Sequence, residues 1–212
     1  MTTLHEGNST LRHVSMQLAQ TTMNLAIIGL FALLVLASFH GYAHGGSVRT
    51  LGVLAANSLF LVLYLARRPA KIETDSLPLW LLAFAGTAAP LLMRPAPRGV
   101  FAPGTVVQVA GLALLIVALL SLRRSFAVVP ANRGIRDGGL YRVVRHPVYL
   151  AELTIMLGIV LANPSARNGV IWGCECLVQF ARALAEERLL SADPLYVTYC
   201  KQVRYRLIPG IL

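Results

Sequence analysis

Long apolar runs limit what this chain can fold into more than any other feature. Five stretches are almost wholly apolar, Met23 to Phe39, Val48 to Ala66, Leu77 to Leu92, Val106 to Leu122 and Val148 to Leu161, and Val170 to Ala185 is a more polar sixth. Of the 212 residues, 56% are hydrophobic and 13% are charged. One soluble core cannot bury that much apolar side chain. The sequence therefore predicts an all-α, polytopic transmembrane protein with five or six membrane helices.

The distribution of basic residues predicts how these helices are oriented. With the N-terminus inside, 15 of the 19 Lys and Arg fall on one side of the membrane: Arg12, Arg67, Arg68, Lys71, Arg123, Arg124, Arg133, Arg136, Arg142, Arg145, Arg182, Arg188, Lys201, Arg204 and Arg206. The other side receives Arg49, Arg94, Arg98 and Arg167. Basic residues accumulate on the cytoplasmic side of membrane proteins. The sequence thus predicts a protein of the bacterial inner membrane with both termini cytoplasmic, and the net charge of +10 serves topology rather than a nucleic-acid partner.

The remaining terminal and cysteine features point to no further function. Met1 to Gln20 is mixed in polarity and predicts a mobile or surface-lying tail. The apolar run that follows is longer than the core of an ordinary signal peptide, so we expect a retained helix. Cys174, Cys176 and Cys200 do not have the spacing of metal ligands, and the pair of His40 and His44 has no further ligand nearby in the sequence. We therefore expect no metal site.

A polar stripe marks the sixth stretch as more than a membrane anchor. Glu175, Gln179, Arg182 and Glu186 are separated by steps of four, three and four residues, which return to nearly the same side of a helix. The stripe is about 16 Å long at the helical rise per residue. A charge facing lipid costs several kcal/mol, on the order of 3 for an arginine at the helix centre. The stripe must therefore face protein or a wet cavity, although Arg182 and Glu186 could also pair simply as neighbours one turn apart.

A second polar element precedes the fifth apolar run. Proline is favoured in the first turn of a helix, so Pro147 predicts that the helix begins there, with Arg145 and His146 at its mouth. Tyr149 follows at helical spacing, so its side chain points the same way as that of His146. Alone, an Arg-His-Pro tripeptide such as residues 145–147 is only an anchor at the membrane interface. Together with the stripe, it predicts a two-sided polar cavity at one membrane face.

At these positions the chain resembles the isoprenylcysteine carboxyl methyltransferase family, which belongs with the phospholipid N-methyltransferases among the small membrane methyltransferases. The resemblance spans roughly residues 126 to 209 and is carried by Gly139-Leu140-Tyr141, Arg145-His146-Pro147-Val148-Tyr149, Arg182 before Glu186-Glu187, Tyr196, Tyr199 and Arg204-Tyr205-Arg206-Leu207-Ile208-Pro209. Ala151 stands where many relatives have Gly.

The resemblance implies methyl transfer from S-adenosylmethionine to a lipophilic small molecule or a lipid-modified acceptor. It implies a cytoplasm-facing cofactor site, which would contain Ile135, Arg136, Tyr141, Arg145, His146, Pro147, Val148, Tyr149, Glu186 and Glu187. Arg182 would be the catalytic residue that faces the acceptor. Residues 123–212 would then form the methyltransferase core, and residues 1–122, the tail and first membrane helices, would face the acceptor and the membrane lipids.

The chemistry of the acceptor stays open at this point. A carboxylate is already a nucleophile, so Arg182 need only orient it. An amine or thiol must lose a proton, for which Glu152, Glu175 or Glu187 are candidates. The prediction is thus a carboxyl O-methyltransferase, with a phospholipid or small-thiol methyltransferase as the alternative.

Two readings compete with a methyltransferase, and the oligomeric state is open in all of them. A sterol-type reductase has similar helices and a similar cofactor mouth, but the glycine pattern that binds dinucleotide phosphates is missing from this sequence. A membrane scaffold or a transporter subunit would use the basic loops for topology alone and would bind no nucleotide-like ligand.

Overall fold

The computed structural model describes residues 2–94 and 103–211, with side chains from residue 18 onward. Its helices are α1 (Thr2–Ala43), α2 (Val48–Leu65), α3 (Leu77–Ala88), α4 (Pro103–Leu122), α5 (Pro147–Ala162), α6 (Ala166–Leu190) and α7 (Pro194–Gln202). Three 3₁₀ turns span Ala89–Leu92, Arg123–Ser125 and Gly139–Arg142. Two short strands, β1 (Ile72–Glu73) and β2 (Ala131–Asn132), form an antiparallel pair.

The protein is mostly helical, with 74% of its residues in helices. Within the described chain, Leu18–Ala43, Val48–Leu65 and Pro103–Ser125 are long and apolar enough to cross a membrane, and Leu77–Leu92 and Pro147–Ala162 are shorter apolar helices. The prediction of an all-α membrane protein is therefore correct apart from the two-residue strand pair, which the all-α expectation misses. The two strands pair where two loops lie side by side at the same end of the bundle.

The ends of several helices differ from those that apolarity predicts. α1 begins at Thr2, so the backbone of the predicted tail is helical, which fits a segment that contains no proline. α6 extends beyond Val170 to Ala185 in both directions, and its start is capped by Ser165, whose Oγ accepts a hydrogen bond from Asn168 N at 3.2 Å. Polar residues at helix ends escape a search based on apolar runs.

A seam of glycines joins α4 to α5. A Cβ atom on Gly158 would lie 2.5 Å from Gln108 N and 2.7 Å from Gly104 O, and one on Gly111 would lie 2.8 Å from Ile155 N. Real side chains cannot come so close to backbone, so the two helices meet backbone against backbone. Residue 122, where we divide the chain into two functional parts, ends α4. Helices from both parts therefore share one core.

Aromatic and amide contacts hold α1 against α2. The rings of Phe31 and Phe60 stack with their centroids 5.4 Å apart. Asn57 donates a hydrogen bond from Nδ2 to Ser38 Oγ at 2.7 Å. The opposite faces carry exposed leucines, among them Leu25 and Leu33, which are 63% and 65% exposed. An apolar outer surface of this kind suits contact with lipid.

The two ends of the bundle differ in charge. We call the end formed by residues 66–76, 123–146 and 191–211 the polar end. Its loops are tied together by the hydrogen bond from Arg68 N to Arg124 O at 2.8 Å and by the ion pair of Arg133 with Glu73 at 2.8 Å. Gly139 has a φ of 60°, and a Cβ there would collide with Ser121 Oγ, so this turn requires glycine.

At the opposite end of the bundle, the amide of Asn168 joins α6 to the segment that follows α3 and its 3₁₀ turn. Its Oδ1 accepts from Arg94 N and its Nδ2 donates to Arg94 O, both at 3.0 Å. Arg167 also donates to Leu92 O at 3.1 Å. Arg94 and Arg167, which we expect outside, thus lie away from the polar end, and Arg98 is not among the described residues.

We expect the glycine seam to be intolerant of even a methyl group. Gly158→Ala should lower the free energy of unfolding in detergent by about 1–3 kcal/mol, the usual cost of overpacking. Gly173→Ala is the matched control, because a Cβ at this position of α6 meets nothing within 4 Å in the described chain. Equal unfolding midpoints for the two variants, measured by a thermal or denaturant scan, would show that the seam is looser than described.

Candidate functional site

Three neighbouring cavities, which share wall residues, lie between the polar end and the interior of the bundle. The largest, the inner cavity, has a volume of about 280 Å³. Its wall is mainly apolar, and its polar members are Asn57, Thr87, Gln108, Tyr149, Glu152 and Arg182. Two smaller voids of about 50 and 40 Å³, together called the polar mouth, share the residues Leu122, Ser125, Tyr141, Arg145, His146 and Glu186. The polar mouth meets the inner cavity along Phe126, Ala127, Val148 and Tyr149.

The C-terminal segment fixes the start of α5. Arg145 N donates to Tyr205 O and His146 N donates to Arg206 O, both at 2.9 Å. Pro147 follows in the first turn, where its missing N–H leaves no hydrogen bond unmade. His146 therefore lies between the backbone hydrogen bonds to the C-terminal segment and the first turn of α5.

Arg145 and Glu187 lock this arrangement. Arg145 donates from Nε to Val203 O at 2.8 Å and from Nη2 to Arg204 O at 2.9 Å. Its Nη1 forms an ion pair with Glu187 Oε1 at 3.0 Å, and Arg206 Nε reaches Glu187 Oε2 at 2.9 Å. The Glu187 carboxylate is thus satisfied by two guanidinium groups. These contacts join α5, α6 and the C-terminal segment.

His146 lies between two carboxylates. Its Nε2 is 3.3 Å from Glu187 Oε1 and its Nδ1 is 3.6 Å from Glu186 Oε2. Burial alone would lower the pKa of His146, but the hydrogen bonds to Glu186 and Glu187 and their charges outweigh it, so the pKa is raised. An imidazolium with both N–H groups directed at carboxylates is the form that this geometry stabilises.

Tyr149 connects the polar mouth to the inner cavity. Its ring stacks on that of His146 with centroids 5.4 Å apart, and its hydroxyl donates to Glu186 Oε2 at 3.0 Å. The other face of the stack belongs to Arg182, whose Cζ is 4.8 Å from the centroid of the Tyr149 ring. The imidazole, phenol and guanidinium groups thus form one continuous row.

Arg182 is held in the wall of the inner cavity. Its Nη2 donates to Val128 O and its Nη1 to Gln179 Oε1, both at 3.1 Å. A Cβ on Gly86 would lie 2.8 Å from Nη1, so the absence of a side chain at Gly86 makes room for the guanidinium. The residue is only 5% exposed. Its position is therefore fixed on several sides before any ligand binds.

The polar stripe faces the interior, as its spacing predicts. Gln179 donates from Nε2 to Glu175 Oε1 and to Glu152 Oε2, both at 2.7 Å. Glu175 is 1% exposed and Gln179 is fully buried. Because Arg182 donates to the same amide, one network joins α5 to α6 and gives the buried charges their partners.

The chain matches a known protein family over a region that runs from α3 into α6. A family model described as Protein of unknown function (DUF1295) matches residues 76–186, more than half of the chain. The chain belongs to the DUF1295 family. No curated protein matches it. The DUF1295 region begins just before α3 and ends at Glu186, so it contains the whole row from His146 to Arg182 but not α7.

The structure gathers most of the predicted site residues at or beside the polar mouth of this DUF1295 protein. Its walls contain Ile135, Arg136, Tyr141, Arg145, His146, Val148, Tyr149 and Glu186. Arg182 lies in the inner cavity instead. Pro147 is fully buried, and the walls of these cavities include neither Pro147 nor Glu187. Pro147 lies in the first turn of α5, and Glu187 forms ion pairs with Arg145 and Arg206.

Sequence reasoning missed several members of the site. Gln108 and Asn57 are isolated amides within long apolar runs, and that contrast could have marked them. Gln108 Oε1 is buried without a hydrogen-bond partner among the described residues. Ser125 gave no such signal, because it lies in a loop among other polar residues.

The raised pKa of His146 predicts a pH-dependent contribution to stability. Its unfolded value is 6.5, so protonated His146 should stabilise the fold fully below that pH and should lose the effect as the pH rises through the higher folded pKa. Unfolding of the wild type and His146→Gln should be compared from about pH 6 to 9. In the region of loss, their difference should shrink by about 1.4 kcal/mol per pH unit. A difference that does not change with pH would mean that the pKa of His146 is the same in the folded and unfolded states.

Proposed function

We propose that this protein is an integral membrane methyltransferase that uses S-adenosylmethionine to methylate a lipophilic acceptor. The observation that carries the proposal is that a charged, polar mouth and a larger apolar cavity adjoin and share wall residues, of which Tyr149 is the polar one. A polar cofactor and a greasy acceptor need such adjoining compartments, because methyl transfer requires both reactants at contact distance in a dry site.

The residues of the polar mouth fit this cofactor. S-Adenosylmethionine carries an amino acid group, ribose hydroxyls and an adenine. Both described contacts of Glu186 use Oε2, which leaves Oε1 to accept from a hydroxyl or an ammonium group. His146 and Arg136 supply positive charge for a carboxylate, and Tyr141 and Ile135 supply apolar surface. The bound cofactor would supply a methyl group on a sulfonium sulfur. When the methyl group is transferred to the acceptor, the sulfur leaves as a neutral thioether.

Binding requires the polar mouth to widen. Its two voids, of about 50 and 40 Å³, are well below the roughly 300 Å³ at which ligand pockets begin. Ile135 and Arg136 are the part of the wall that we expect to move. Within the described chain, Ile135 packs against the cluster of Tyr141, Tyr196 and Tyr199. Arg136 Nε donates a hydrogen bond to Ser125 Oγ at 3.2 Å.

The inner cavity suits the acceptor. At about 280 Å³ it approaches the size of a small-ligand pocket, and its wall is mainly apolar. Arg182 would orient a polar or anionic group with the N–H groups that its bonds to Gln179 and Val128 leave free. Gln108 Oε1 has no hydrogen-bond partner among the described residues, so it can accept a hydrogen bond from an acceptor molecule that carries an N–H or O–H group. A carboxylate acceptor would need no general base, whereas an amine or thiol could pass its proton to Glu152.

The proposed membrane arrangement follows from the same geometry. We place α1 to α5 in the bilayer, with α6 as the sixth, more polar helix, and the polar end in the cytoplasm. Support comes from the concentration of basic residues at that end and from the apolar outer faces of the helices. In this orientation the cofactor enters from water and the acceptor from lipid.

Removing the charge of Glu186 should weaken cofactor binding. Glu186→Gln should raise the dissociation constant of S-adenosylmethionine about tenfold or more, because a charge-assisted hydrogen bond contributes on the order of 1.5–3 kcal/mol. Calorimetry in detergent measures this constant, with Asp75→Asn as the control because Asp75 is an exposed carboxylate at the same end. Unchanged affinity in a folded Glu186→Gln protein would remove Glu186 from the cofactor site.

Arg182 should act on the acceptor rather than on the cofactor. Arg182→Lys keeps the charge but loses the fork, so transfer of labelled methyl groups into a total lipid and small-molecule extract should fall about tenfold or more. The affinity for S-adenosylmethionine should change far less. Normal transfer at saturating cofactor, together with a collapse of cofactor affinity, would place Arg182 in the cofactor site instead.

A further inference from the structure

A second concave site lies at the polar end, on the side of α1 and α2. This groove has a volume of about 420 Å³. Its polar walls come from Asn24, Tyr64, Arg67, Arg68, Glu73 and Arg133. It shares no wall residue with the inner cavity and only Arg133 with the polar mouth. The groove is therefore separate from the site where we place methyl transfer.

Arg67 is fixed at one wall of the groove. Its Nη2 donates to Asn24 Oδ1 at 2.9 Å, and its Cζ lies 3.8 Å from the centroid of the Tyr64 ring. The Tyr64 hydroxyl donates to the same Asn24 oxygen at 2.8 Å. The guanidinium is thus oriented from one edge and one face, while its Nη1 is buried without a partner among the described residues.

Arg133 and Glu73 form the facing wall. Arg133 Nη2 pairs with Glu73 Oε2 at 2.8 Å, and Arg133 Nη1 donates to Arg68 O. The Arg133 side chain is only 3% exposed, yet its Nε has no partner in the described chain. Glu73 Oε1 is also buried without a described partner. Buried groups of this kind cost free energy unless something satisfies them.

The unmet groups have a definite chemical pattern. Two belong to guanidinium groups and one to a carboxylate, so the wall residues of the groove hold two cationic donors and one anionic acceptor that lack partners in the described chain. Burial and the nearby charge of Arg67 lower the pKa of Arg133, because burial disfavours a charge and the two cations repel each other. A phosphate would relieve the surplus positive charge, and an ammonium group would satisfy Glu73.

The surroundings favour a ligand that comes from the membrane. Ile28 and Leu65 form apolar parts of the wall, and Leu65 is 61% exposed on the outer surface of α2. The groove therefore lies where an apolar helix surface gives way to the charged polar end. Lipid headgroups occupy that level of a bilayer, and their acyl chains extend along the helices.

We propose that this groove binds a phospholipid headgroup that carries both a phosphate and a primary ammonium group, as in phosphatidylethanolamine. Arg67 and Arg133 bind the phosphate, and Glu73 binds the ammonium group. The lipid binds noncovalently and is not the methyl acceptor. Its role is to complete a polar wall that the protein leaves unsatisfied.

Lipid titrations of the full-length protein in detergent test the proposal. The probes are short-chain phosphatidylethanolamine, phosphatidylglycerol with the same chains, free phosphoethanolamine and inorganic phosphate, and the readout is native mass spectrometry with the unfolding midpoint. We expect phosphatidylethanolamine to bind more tightly than phosphatidylglycerol, and Arg67→Gln to weaken it about tenfold or more. Arg188→Gln, which removes an exposed charge at the same end, should leave binding unchanged.

Two further variants keep the test decisive. Glu73→Gln should abolish the preference for phosphatidylethanolamine over phosphatidylglycerol, and Arg67→Lys, which keeps the charge, should bind with intermediate affinity and serves if the other variants do not fold. Equal affinity of wild type and Arg67 variants would overturn the site. Equal binding of the two lipids by the wild type would overturn the role of Glu73. Displacement of the lipid by inorganic phosphate at comparable concentrations would make this a site for soluble phosphate.

Discussion

Gly104, Gly111 and Gly158 let the backbones of α4 and α5 approach more closely than any side chain would permit. α5 then carries Tyr149 and Glu152 to the wall of the inner cavity, while Leu112 and Leu115 of α4 complete that wall. In lipid there is little hydrophobic force between helices, so close packing of small residues is what holds them together. The position of the cavity, and of everything that faces it, follows from this seam.

Neighbouring carboxylates on α6 have different surroundings because a helix turns about 100° per residue. Glu187 faces the C-terminal segment and is satisfied by Arg145 and Arg206. Glu186 faces the polar mouth, with a side chain that is 30% exposed and an oxygen still available. Glu187 thus ties α6 to other segments, whereas both described contacts of Glu186 use Oε2 alone. The hydrogen bond from the Tyr149 hydroxyl to Glu186 Oε2 holds this part of α6 against α5.

Parts of this arrangement could be predicted from the sequence for simple physical reasons. Apolar runs locate the helices, and the spacing of Glu175, Gln179 and Arg182 shows that they share one face, because both depend on local geometry. Which partner each group meets depends on contacts between distant segments. The lock of Glu187 with Arg145 is an example, since the sequence allowed Glu187 to be a ligand group just as readily.

The groove that contains Arg67 and Arg133 could not be predicted from the sequence, for the same reason. In the sequence these residues belong to a set of basic loop residues that set the topology, and nothing distinguishes them from Arg124 or Arg142. The fold brings them to one groove because β1 pairs with β2. Gln108 differs, because an amide in an apolar run is visible beforehand. Long-range pairing, rather than residue type, is what the sequence conceals.

The account as a whole depends on the polar mouth being a cofactor site. Equilibrium dialysis of the purified wild type against labelled S-adenosylmethionine and, in parallel, labelled NADPH tests this most directly. We predict saturable binding of one S-adenosylmethionine per chain, competed by unlabelled S-adenosylmethionine and not by NADPH. Saturable binding of NADPH alone would indicate a reductase, and binding of neither ligand would contradict a cofactor-dependent enzyme at this site.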